Sequence, residues 1–385
     1  MILHLIILIL FTLTPHERSD SVNDIDIEAI SPWLQILWDQ KGSDLLLSGS
    51  SAPRIRVNGK LRPVEGAPVL SGTEIGELVR TLIKPSQQRE LETEQDVDFA
   101  FSWLDRARLR GSAFTQRGET ALALRMIPSR VPSFTELDLP PVAEWLANLP
   151  RGFVLVTGPT GSGKSTTLAS IIDRINETRA CHILTIEDPV EYVHNHKLSA
   201  VSQREIGLDS PSFDRALRSA LREDPDVLLV GEMRDIESIQ IALTMAETGH
   251  LVFATLHTND APQAIDRIID VFPAWRQEQT RVQLSASLAA IVAQRLIPKI
   301  GGGMVAAFEV LIATNPVRNL IREGRSNQLL NVMTTNQKEG MRTLEVSLAE
   351  LIVAGTVTYE DALDVSAHPK ELARALEAVQ YSGKA

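Results

Sequence analysis

Residues 158–165 read Gly158-Pro-Thr-Gly-Ser-Gly-Lys-Ser165, which is the pattern G-x-x-x-x-G-K-[ST]. A short apolar run at 153–157 precedes this stretch, and apolar residues at helical spacing follow it to Ile175. Glycines let the backbone curl so that successive N–H groups point at one anion, and a helix starting there adds its positive end. The stretch therefore predicts a strand, a phosphate-binding loop and a helix, which together form a nucleoside triphosphate site.

The loop and the start of its helix supply the candidate contacts to ATP. These residues are Gly158, Pro159, Thr160, Gly161, Ser162, Gly163, Lys164, Ser165 and Thr166. In such a loop the lysine reaches the β- and γ-phosphates, and the hydroxyl after it holds Mg²⁺. We therefore expect ATP and Mg²⁺ as cofactors, with Lys164 on the phosphates and Ser165 on the metal.

Composition narrows the class of protein. The chain has 385 residues, 44% of them hydrophobic and 23% charged, which is ordinary for a soluble protein with room for two domains. A net charge of −11 argues against stable, sequence-independent binding of nucleic acid. The single cysteine, Cys181, excludes an intrachain disulfide framework and a zinc cluster of cysteines.

The first residues form an unusual segment. Residues 1–13 are almost wholly apolar, yet the run is too short for a membrane-spanning helix and lacks the basic start of a secretory signal. We expect residues 1–24 to be a disordered tail or to be misassigned to the protein. A weak contact with a membrane surface is the alternative.

Residues 25–127 predict a small α+β domain. Helical patterns lie at 25–37 and at 71–82, where Ser71 or Thr73 is the expected cap. Strand patterns lie at 43–48, at 53–61 with a turn at Asn58-Gly59, and at 96–101, 107–114 and 120–127. Their alternation predicts an antiparallel sheet with one face packed on helices. Residues 128–141 hold four prolines and predict a linker.

From residue 142 the pattern changes to that of a RecA-like nucleotide-binding core. Buried-strand candidates at 182–186, 227–230 and 251–255 alternate with helical segments, which predicts a mostly parallel sheet with helices on both faces. Beyond residue 261 we expect mainly helix, with the best segments at 313–324, 336–355 and 359–379. The core is expected to span 142–368, and 369–385 to be a C-terminal tail.

Three further groups of residues are candidates for chemistry. An apolar strand followed by Gly-Glu places Glu232 beside the phosphate loop, as a Walker B acid that holds Mg²⁺. Glu187, Asp188 and Glu191 follow another strand, and supply either a base that activates water or a solvated acidic loop. His250 and His257 flank the next strand, which we expect to present both at one end of the sheet, either as γ-phosphate sensors or as structural histidines.

Four elements follow one another in a characteristic order: the phosphate loop at 158–165, the acidic box at 183–191, Val-Gly-Glu-Met-Arg-Asp at 230–235 and the histidine box at 249–257. In this order they resemble the secretion-type ATPases that drive type II secretion and type IV pili. Residues 316–323, Pro-Val-Arg-Asn-Leu-Ile-Arg-Glu, resemble the Ala-Ile-Arg-Asn-Leu-Ile-Arg-Glu motif of the pilus-retraction branch, and 340–344 resemble its C-terminal region. The lack of paired CxxC motifs also favours retraction over extension.

The resemblance, which covers about residues 25–365, implies an α/β protein: a PAS-like α+β domain, a RecA-like P-loop ATPase core and a helical C-terminal region. It implies a hexameric motor that hydrolyses ATP for pilus retraction and twitching motility. The motor would be a cytoplasmic homohexamer at the inner face of the cytoplasmic membrane, associated with that membrane through the pilus platform protein.

The resemblance also implies roles for particular residues. Glu191 would be the general base, Glu232 the Walker B acid and metal ligand, and His250 and His257 the histidine-box pair. Arginines of a neighbouring subunit would reach the phosphates, and the candidates on the predicted sheet are Arg110, Arg117 and Arg125. The family's Ser-Asp-Leu-His-Leu pattern is altered at 43–47, where Leu46 replaces the histidine.

Other functions stay open at this stage. A related motor for secretion or DNA uptake, or an accessory pilus ATPase, would share these motifs. A nucleotide-gated scaffold with little hydrolysis and a nucleic-acid translocase are the rivals from other classes. The full set of Lys164, Glu191 and Glu232 disfavours the scaffold, and the acidic net charge disfavours the translocase.

Overall fold

The computed structural model describes residues 27–57, 59–104, 106–128, 130–233 and 235–382. The expected tail at 1–24, Asn58 of the expected turn and Arg234 of the 230–235 motif lie outside these residues. The chain divides into two compact units, Met1–Ile127 and Pro128–Ala385. Within the described ranges, no helix has the length and apolar character that crossing a bilayer requires.

The first unit is an α+β fold built on one antiparallel sheet. Its elements, in chain order, are α1 Ser31–Asp39, β1 Asp44–Leu47, β2 Arg54–Val57, β3 Lys60–Pro63, α2 Gly72–Leu82, α3 Pro85–Glu94, β4 Asp96–Trp103, β5 Ala107–Gln116 and β6 Glu119–Pro128. The strand order is β3-β2-β1-β6-β5-β4. Val57 pairs with Lys60 across the expected hairpin turn.

The core of this unit follows from the alternation of its strands. Along β4, Val97, Phe99, Phe101 and Trp103 are buried, whereas most residues between them are exposed. These side chains pack with the buried faces of α1 and α2 in one apolar cluster. The predicted strands at 96–101, 107–114 and 120–127 are therefore confirmed.

Helix α2 begins at a reciprocal cap. The Ser71 hydroxyl accepts the Glu74 N–H at 3.2 Å, and the Glu74 carboxylate accepts the Ser71 N–H at 2.7 Å. Of the two expected caps, Ser71 is the one used, because its side chain reaches the third helical residue. Residues 85–94, which lack an apolar period, form α3, and this helix begins with Pro85 at a position that needs no N–H.

The second unit is the α/β core. Its elements are α4 Val142–Ala147, β7 Gly152–Thr157, α5 Lys164–Thr178, β8 His182–Glu187, β9 Ala200–Glu205, α6 Phe213–Ala220, β10 Val227–Val230, α7 Ile236–Glu247, β11 Leu251–Leu256, α8 Ala261–Asp270, α9 Ala274–Ser287, β12 Leu288–Pro298, β13 Met304–Ile312, α10 Asn315–Arg322, α11 Leu329–Thr335, α12 Leu344–Val353, α13 Tyr359–Val365 and α14 Pro369–Ser382.

These strands form one seven-stranded sheet, in the order β13-β12-β7-β11-β10-β8-β9. Every pairing in it is parallel except β12 with β13. Strands β7, β10 and β11 are wholly buried between two apolar clusters. Because parallel strands point the same way, the loops that follow β7, β11, β10 and β8 meet at one edge of the sheet.

The region beyond residue 261 contains more strand than the sequence pattern indicates. The expectation of mainly helix is wrong for β12 and β13, which pair along nine residue positions. The stretch 288–298 is a nearly continuous apolar run, and such a run does not distinguish a buried strand from a buried helix.

The expected helices near the C-terminus also need correction. The segment 336–355 is α-helical only at Leu344–Val353. A short 3-10 helix at Gln337–Glu339 precedes it and ends at Gly340, which adopts φ +90°. The segment 359–379 is two helices, α13 and α14, since Pro369 begins a new one. Residues 369–382 are thus a helix rather than the expected tail, and Leu372 anchors it in an apolar cluster.

Candidate nucleotide-binding and catalytic site

The phosphate loop leaves the sheet at the end of β7 and closes at the start of α5. Gly158, Gly161 and Gly163 all have positive φ, at +148°, +78° and +87°. A Cβ at Gly158 would collide with the Gln294 carbonyl and lie 2.6 Å from Ser162 Oγ. The backbone angle therefore favours glycine at all three positions, and the lack of room for a Cβ also requires it at Gly158. The predicted strand, loop and helix are confirmed.

A buried glutamine on β12 clamps this loop. Gln294 Nε2 donates to the Ser162 carbonyl at 2.7 Å, and Gln294 Oε1 accepts the Thr167 hydroxyl at 2.8 Å. One side chain thus joins the loop to the first turn of α5. Sequence reasoning missed Gln294 because β12 was expected to be helical, and a polar residue inside an apolar run was the signal available.

Lys164 is buried at the centre of the loop. It is 8% exposed, and its Nζ donates to the carbonyls of Gly158 at 2.8 Å and Pro159 at 3.1 Å. Burial lowers the pKa of the ammonium, and the nearby carboxylates of Glu232 and Glu191 act in the opposite direction. Both acids therefore lie within electrostatic reach of the lysine, which brings the predicted phosphate, metal and base residues together.

Glu232 follows β10 and faces the loop that follows β11. Thr255 on β11 donates its hydroxyl to the Gly231 carbonyl at 2.5 Å and accepts the Met233 N–H at 3.3 Å through its own carbonyl. This bonding holds the backbone on both sides of Glu232. His257 Nε2 lies 3.3 Å from Glu232 Oε1, and the histidine side chain is 46% exposed. The predicted Walker B acid and one of the two predicted histidines thus form a contact at the carboxyl edge of the sheet.

His250 is not part of this arrangement. It precedes β11, whereas His257 follows it, so a six-residue strand of about 20 Å separates them. His250 Nδ1 lies 2.8 Å from the Met245 carbonyl and 3.1 Å from the Thr248 hydroxyl. The expectation that both imidazoles lie at one end of the sheet is wrong, because two residues that bracket a single strand occupy opposite ends of it.

The three acids after β8 are in different environments. Glu187 accepts the Thr185 hydroxyl at 2.7 Å and the Gln203 amide at 3.4 Å, and it hydrogen-bonds with the backbone of Glu191. Burial raises the pKa of Glu187. Asp188 is exposed and Glu191 is half-buried. Glu187 therefore braces the turn, and Glu191 is the carboxylate of the three within electrostatic reach of Lys164.

Tyr192 connects this acidic turn to the phosphate-loop helix. Its hydroxyl lies 3.1 Å from the Thr166 hydroxyl, and its carbonyl accepts the Gln203 amide at 2.8 Å. Burial raises the pKa of the phenol, and the Glu191 charge raises it further. Tyr192 therefore stays neutral as a spacer between α5 and Glu191, a role for which the sequence carried no signal.

Two observations at the loop fit a bound nucleotide with its metal. The Thr157 and Ser162 hydroxyls are buried and have no hydrogen-bond partner within the described part of the chain, so each can bond to a phosphate or a water. No cluster of three or more metal-ligating side chains occurs in the same residues. The predicted metal ligands, Ser165 and Glu232, supply one hydroxyl and one carboxylate, and this pair fits Mg²⁺, which is commonly held by one or two protein oxygens together with phosphates and waters.

A cavity of about 190 Å³ adjoins the loop. Gly163, Thr166 and Gln294 form one side of it, and Lys299 also lines it. Six apolar side chains also line it, namely Leu137, Leu139, Leu296, Met304, Val305 and Ala306, together with the polar Glu136, Asp138 and Thr167. The proline-rich pattern indicated only a linker at 136–139, so this wall was not expected from the sequence.

The three candidate arginines belong to the first unit. Arg125 pairs with Asp44 at 3.0 Å, and Asp44 also contacts Arg56 at 3.2 Å. Arg110 is an exposed residue of β5 opposite Ala100, and Arg117 is exposed in the turn before β6 at φ +51°. All three are accessible side chains, and their action on phosphates stays a prediction.

Arg318 of the 316–323 motif has a visible structural role. Its guanidinium donates to the Ser285 carbonyl and, at 2.9 Å, to the Ala286 carbonyl. Burial lowers the pKa of this guanidinium, and the nearby Arg322 lowers it further. Arg318 therefore caps the end of α9 directly before β12 begins.

Several known proteins are similar to this chain. A family model described as "Type II/IV secretion system protein" matches residues 54–304. The type IV pilus retraction ATPase PilT of Pseudomonas aeruginosa is 47% identical over 331 residues, covering 86% of this chain and 96% of that protein. The type IV pilus ATPase PilU of the same organism is 42% identical, covering 86% of each chain.

A solved structure shows the same architecture. The crystal structure of the pilus retraction motor PilT with bound ADP matches with a TM-score of 0.84 and 46% identity. The match covers 90% of this chain and 99% of that one. The predicted α/β fold, with an N-terminal domain before a P-loop ATPase core, is confirmed by this similarity.

Proposed function

Because the chain belongs to the type II/IV secretion system protein family and is an ATP-hydrolysing member of it, we propose that it is the motor that retracts type IV pili. The observation that carries this proposal is the similarity to a pilus retraction ATPase along 96% of that protein's length. The resemblance of residues 316–323 to the retraction-type motif also supports it.

Hydrolysis first requires that the triphosphate of ATP be bound by the loop. The loop amides and Lys164 would bind the β- and γ-phosphates, and the lysine would exchange its bonds to the Gly158 and Pro159 carbonyls for phosphate oxygens. Ser165 and Glu232 would hold Mg²⁺, which neutralises charge on the phosphates when it is bound. Water is excluded from the lysine by burial, and this strengthens its attraction for the phosphates.

Glu191 is the proposed base. It stands near Lys164, whereas Glu187 is occupied by three hydrogen bonds and has a raised pKa. A carboxylate at this position would orient the attacking water and accept its proton. Glu187 and Tyr192 would keep Glu191 in place from its two sides.

His257 is the proposed sensor of hydrolysis. Its ring contacts Glu232, and the loop 257–260 leads from His257 to α8. A change in charge at the γ-phosphate position would therefore be transmitted to the start of α8 through this contact. The triphosphate would then favour one arrangement of the protein, and its loss another. His250, at the other edge of the sheet, would have no direct part in this step.

The cavity beside the loop is the proposed site of the adenine base. It lies next to Gly163 and Thr166, where a nucleotide leaving the phosphate loop would continue. Leu139 and Leu296 would cover the faces of a planar ring, and burying such a ring is favourable. Because residues 137–139 form one wall of this cavity, a bound nucleotide would contact the segment that follows the first unit.

The assembly of the motor is part of the same proposal. We infer a homohexamer in the cytoplasm, at the inner face of the cytoplasmic membrane, with Arg110, Arg117 and Arg125 reaching the phosphates of a neighbouring subunit. A platform protein in that membrane would convert the movement into withdrawal of pilin. These statements follow from the resemblance of the chain to pilus retraction ATPases.

The decisive experiment is Lys164→Ala at the native locus, scored for pilus length and twitching. Long, persistent pili without motility are expected, because assembly would proceed while retraction stops. Cells without pili would show instead that the motor drives extension. Lys370→Ala, which removes an exposed lysine from α14, is the matched control and should leave both readouts unchanged.

An accessory role is the second candidate, because PilU is 42% identical over 86% of the chain. The two roles differ in whether the protein works alone. Purified protein is expected to hydrolyse ATP by itself, and its gene is expected to restore retraction to cells lacking every other retraction ATPase. Restoration only beside a second retraction ATPase would make the protein accessory.

A further inference from the structure

A buried glutamate joins the N-termini of two helices that are distant in sequence. Glu309 lies on β13 and is 5% exposed. Its Oε1 accepts the N–H of Ala261, the first residue of α8, at 2.8 Å. Its carboxylate also hydrogen-bonds with the backbone of Leu344, the first residue of α12. One side chain therefore bonds to the first residue of both helices.

The first of these helices is connected directly to the proposed sensor. Only the loop 257–260 separates β11 from α8. His257 at the start of this loop touches Glu232, and Asp260 at its end caps α8 by accepting the Gln263 N–H at 2.8 Å. The loop is thus anchored by β11 on one side and by the bond from Ala261 to Glu309 on the other.

The second helix is connected to the retraction-type segment at 340–344. Val310, the residue after Glu309, exchanges two backbone hydrogen bonds with Arg342, at 2.8 and 3.0 Å. Thr343 then caps α12, and Leu344 reaches Glu309. The same two positions of β13 therefore hold both the end of the sensor loop and the segment 340–344.

The surroundings of Glu309 are acidic. From the described elements packed against it, two charged groups act on Glu309: Asp260, at the end of the loop before α8, and Glu345 of α12. Glu345 is itself buried and accepts the Ser366 hydroxyl at 3.3 Å. Burial is the main reason that the pKa of Glu309 rises to about 7, and the two acids add to it. Its charge therefore changes near neutral pH.

We propose that Glu309 is a positioning residue for ATP turnover, which holds the His257 loop in register with Glu232 and joins it to the segment 340–344. This rests on the proposed ATPase function. The ionised carboxylate binds two helix N-terminal amides more strongly than the neutral acid does, because both the charge and the helix ends favour it. The two hydrogen bonds to the loop and to α12 are therefore strongest above neutral pH, while burial of the charge makes ionisation costly for the fold as a whole.

The test compares Glu309→Gln with the wild-type hexamer from pH 6 to 8.5. Glutamine keeps the size and one acceptor oxygen but cannot ionise. At pH 8 we expect kcat to fall about tenfold, with KM for ATP within about twofold, since charge-assisted bonds are lost away from the nucleotide. At pH 6, where Glu309 itself is mostly protonated, the two proteins should converge.

Glu345→Gln is the matched control, because it neutralises a buried acid of the same cluster that makes no bond to Ala261. An equal loss of kcat in both variants at pH 8, or wild-type kcat in Glu309→Gln at that pH, would overturn the proposal. Hydrogen exchange supplies a second readout: amides at 257–261 and 340–344 should exchange faster in Glu309→Gln alone. Unchanged exchange at both segments would also overturn it. Absence of turnover in the wild type would instead defeat the ATPase function itself.

Discussion

Gln294→Leu is the substitution that best tests how the phosphate loop is held. The change keeps the size of the side chain but removes its bonds to the Ser162 carbonyl and the Thr167 hydroxyl. Both partners are buried, and each unsatisfied buried group costs about 1–3 kcal/mol. We expect a loss of about 3 kcal/mol in the free energy of unfolding, since partial relaxation reduces the sum.

The assay is thermal unfolding with and without ADP, together with ADP affinity. Because Gln294 holds the loop at Ser162, a released loop should bind ADP at least about tenfold more weakly, which corresponds to about 1.4 kcal/mol. Gln283→Leu is the control: Gln283 is a partly exposed glutamine of α9 that bonds to Glu247 at 3.0 Å. The free energy of unfolding of Gln283→Leu should fall by less than about 0.5 kcal/mol.

A double-mutant cycle separates the clamp from general packing. Thr167→Val removes the same hydroxyl bond from the other side, so the two substitutions together should cost less than their sum by about 1 kcal/mol or more. A stability loss under about 1 kcal/mol in Gln294→Leu, combined with wild-type ADP affinity, would refute the argument. Strict additivity would show that Thr167 and Gln294 act independently.

Four further predictions test other parts of the molecule. His257→Ala should lower kcat well below that of His250→Ala, which should stay within about twofold of wild type because that ring lies at the far edge of the sheet; equal losses would contradict the geometry. Glu191→Gln should bind ATP normally and hydrolyse almost none of it, and wild-type turnover would remove this residue as the base. The raised pKa of Glu309 gives stability that is complete below about pH 4.5 and is lost as pH rises to about 7. Relative to Glu309→Gln, wild type should therefore lose about 3 kcal/mol across that window in denaturant titrations, and a constant difference would show that the group does not titrate there. Ser71→Ala should destabilise the first unit by about 1 kcal/mol in thermal unfolding, and an unchanged midpoint would mean that the cap is replaced by water.

Much of the site is encoded in short stretches of the chain. The loop at 158–165 is recognisable because glycines, lysine and serine are neighbours in the chain and act together within a few residues. Glu232 and Glu191 follow strands whose apolar character is local, and both lie within electrostatic reach of Lys164. The predicted order of motifs was sufficient to identify the family.

The wrong predictions share one cause: the sequence pattern of a segment does not show which other segment it packs or pairs with. Strand β12 is an apolar run, and only pairing with β7 and β13 makes it a strand. The histidines on either side of β11 are close in sequence, yet the extended backbone between them separates them. Gln203 and Tyr192 carry no local signature, since their bonds to the acidic turn depend on β9 lying beside β8.

By itself the sequence determined the local backbone of the phosphate loop, the strands that lead to its acids and the family to which the chain belongs. These depend on short-range steric constraints and on the regular spacing of apolar residues, and both can be recognised from residues that are neighbours in the sequence. Only the tertiary structure decided which histidine meets Glu232, which glutamine clamps the loop and which glutamate joins α8 to α12. Those contacts connect residues far apart in the chain, and they exist because sheet pairing and burial bring distant polar groups together where each must find a partner.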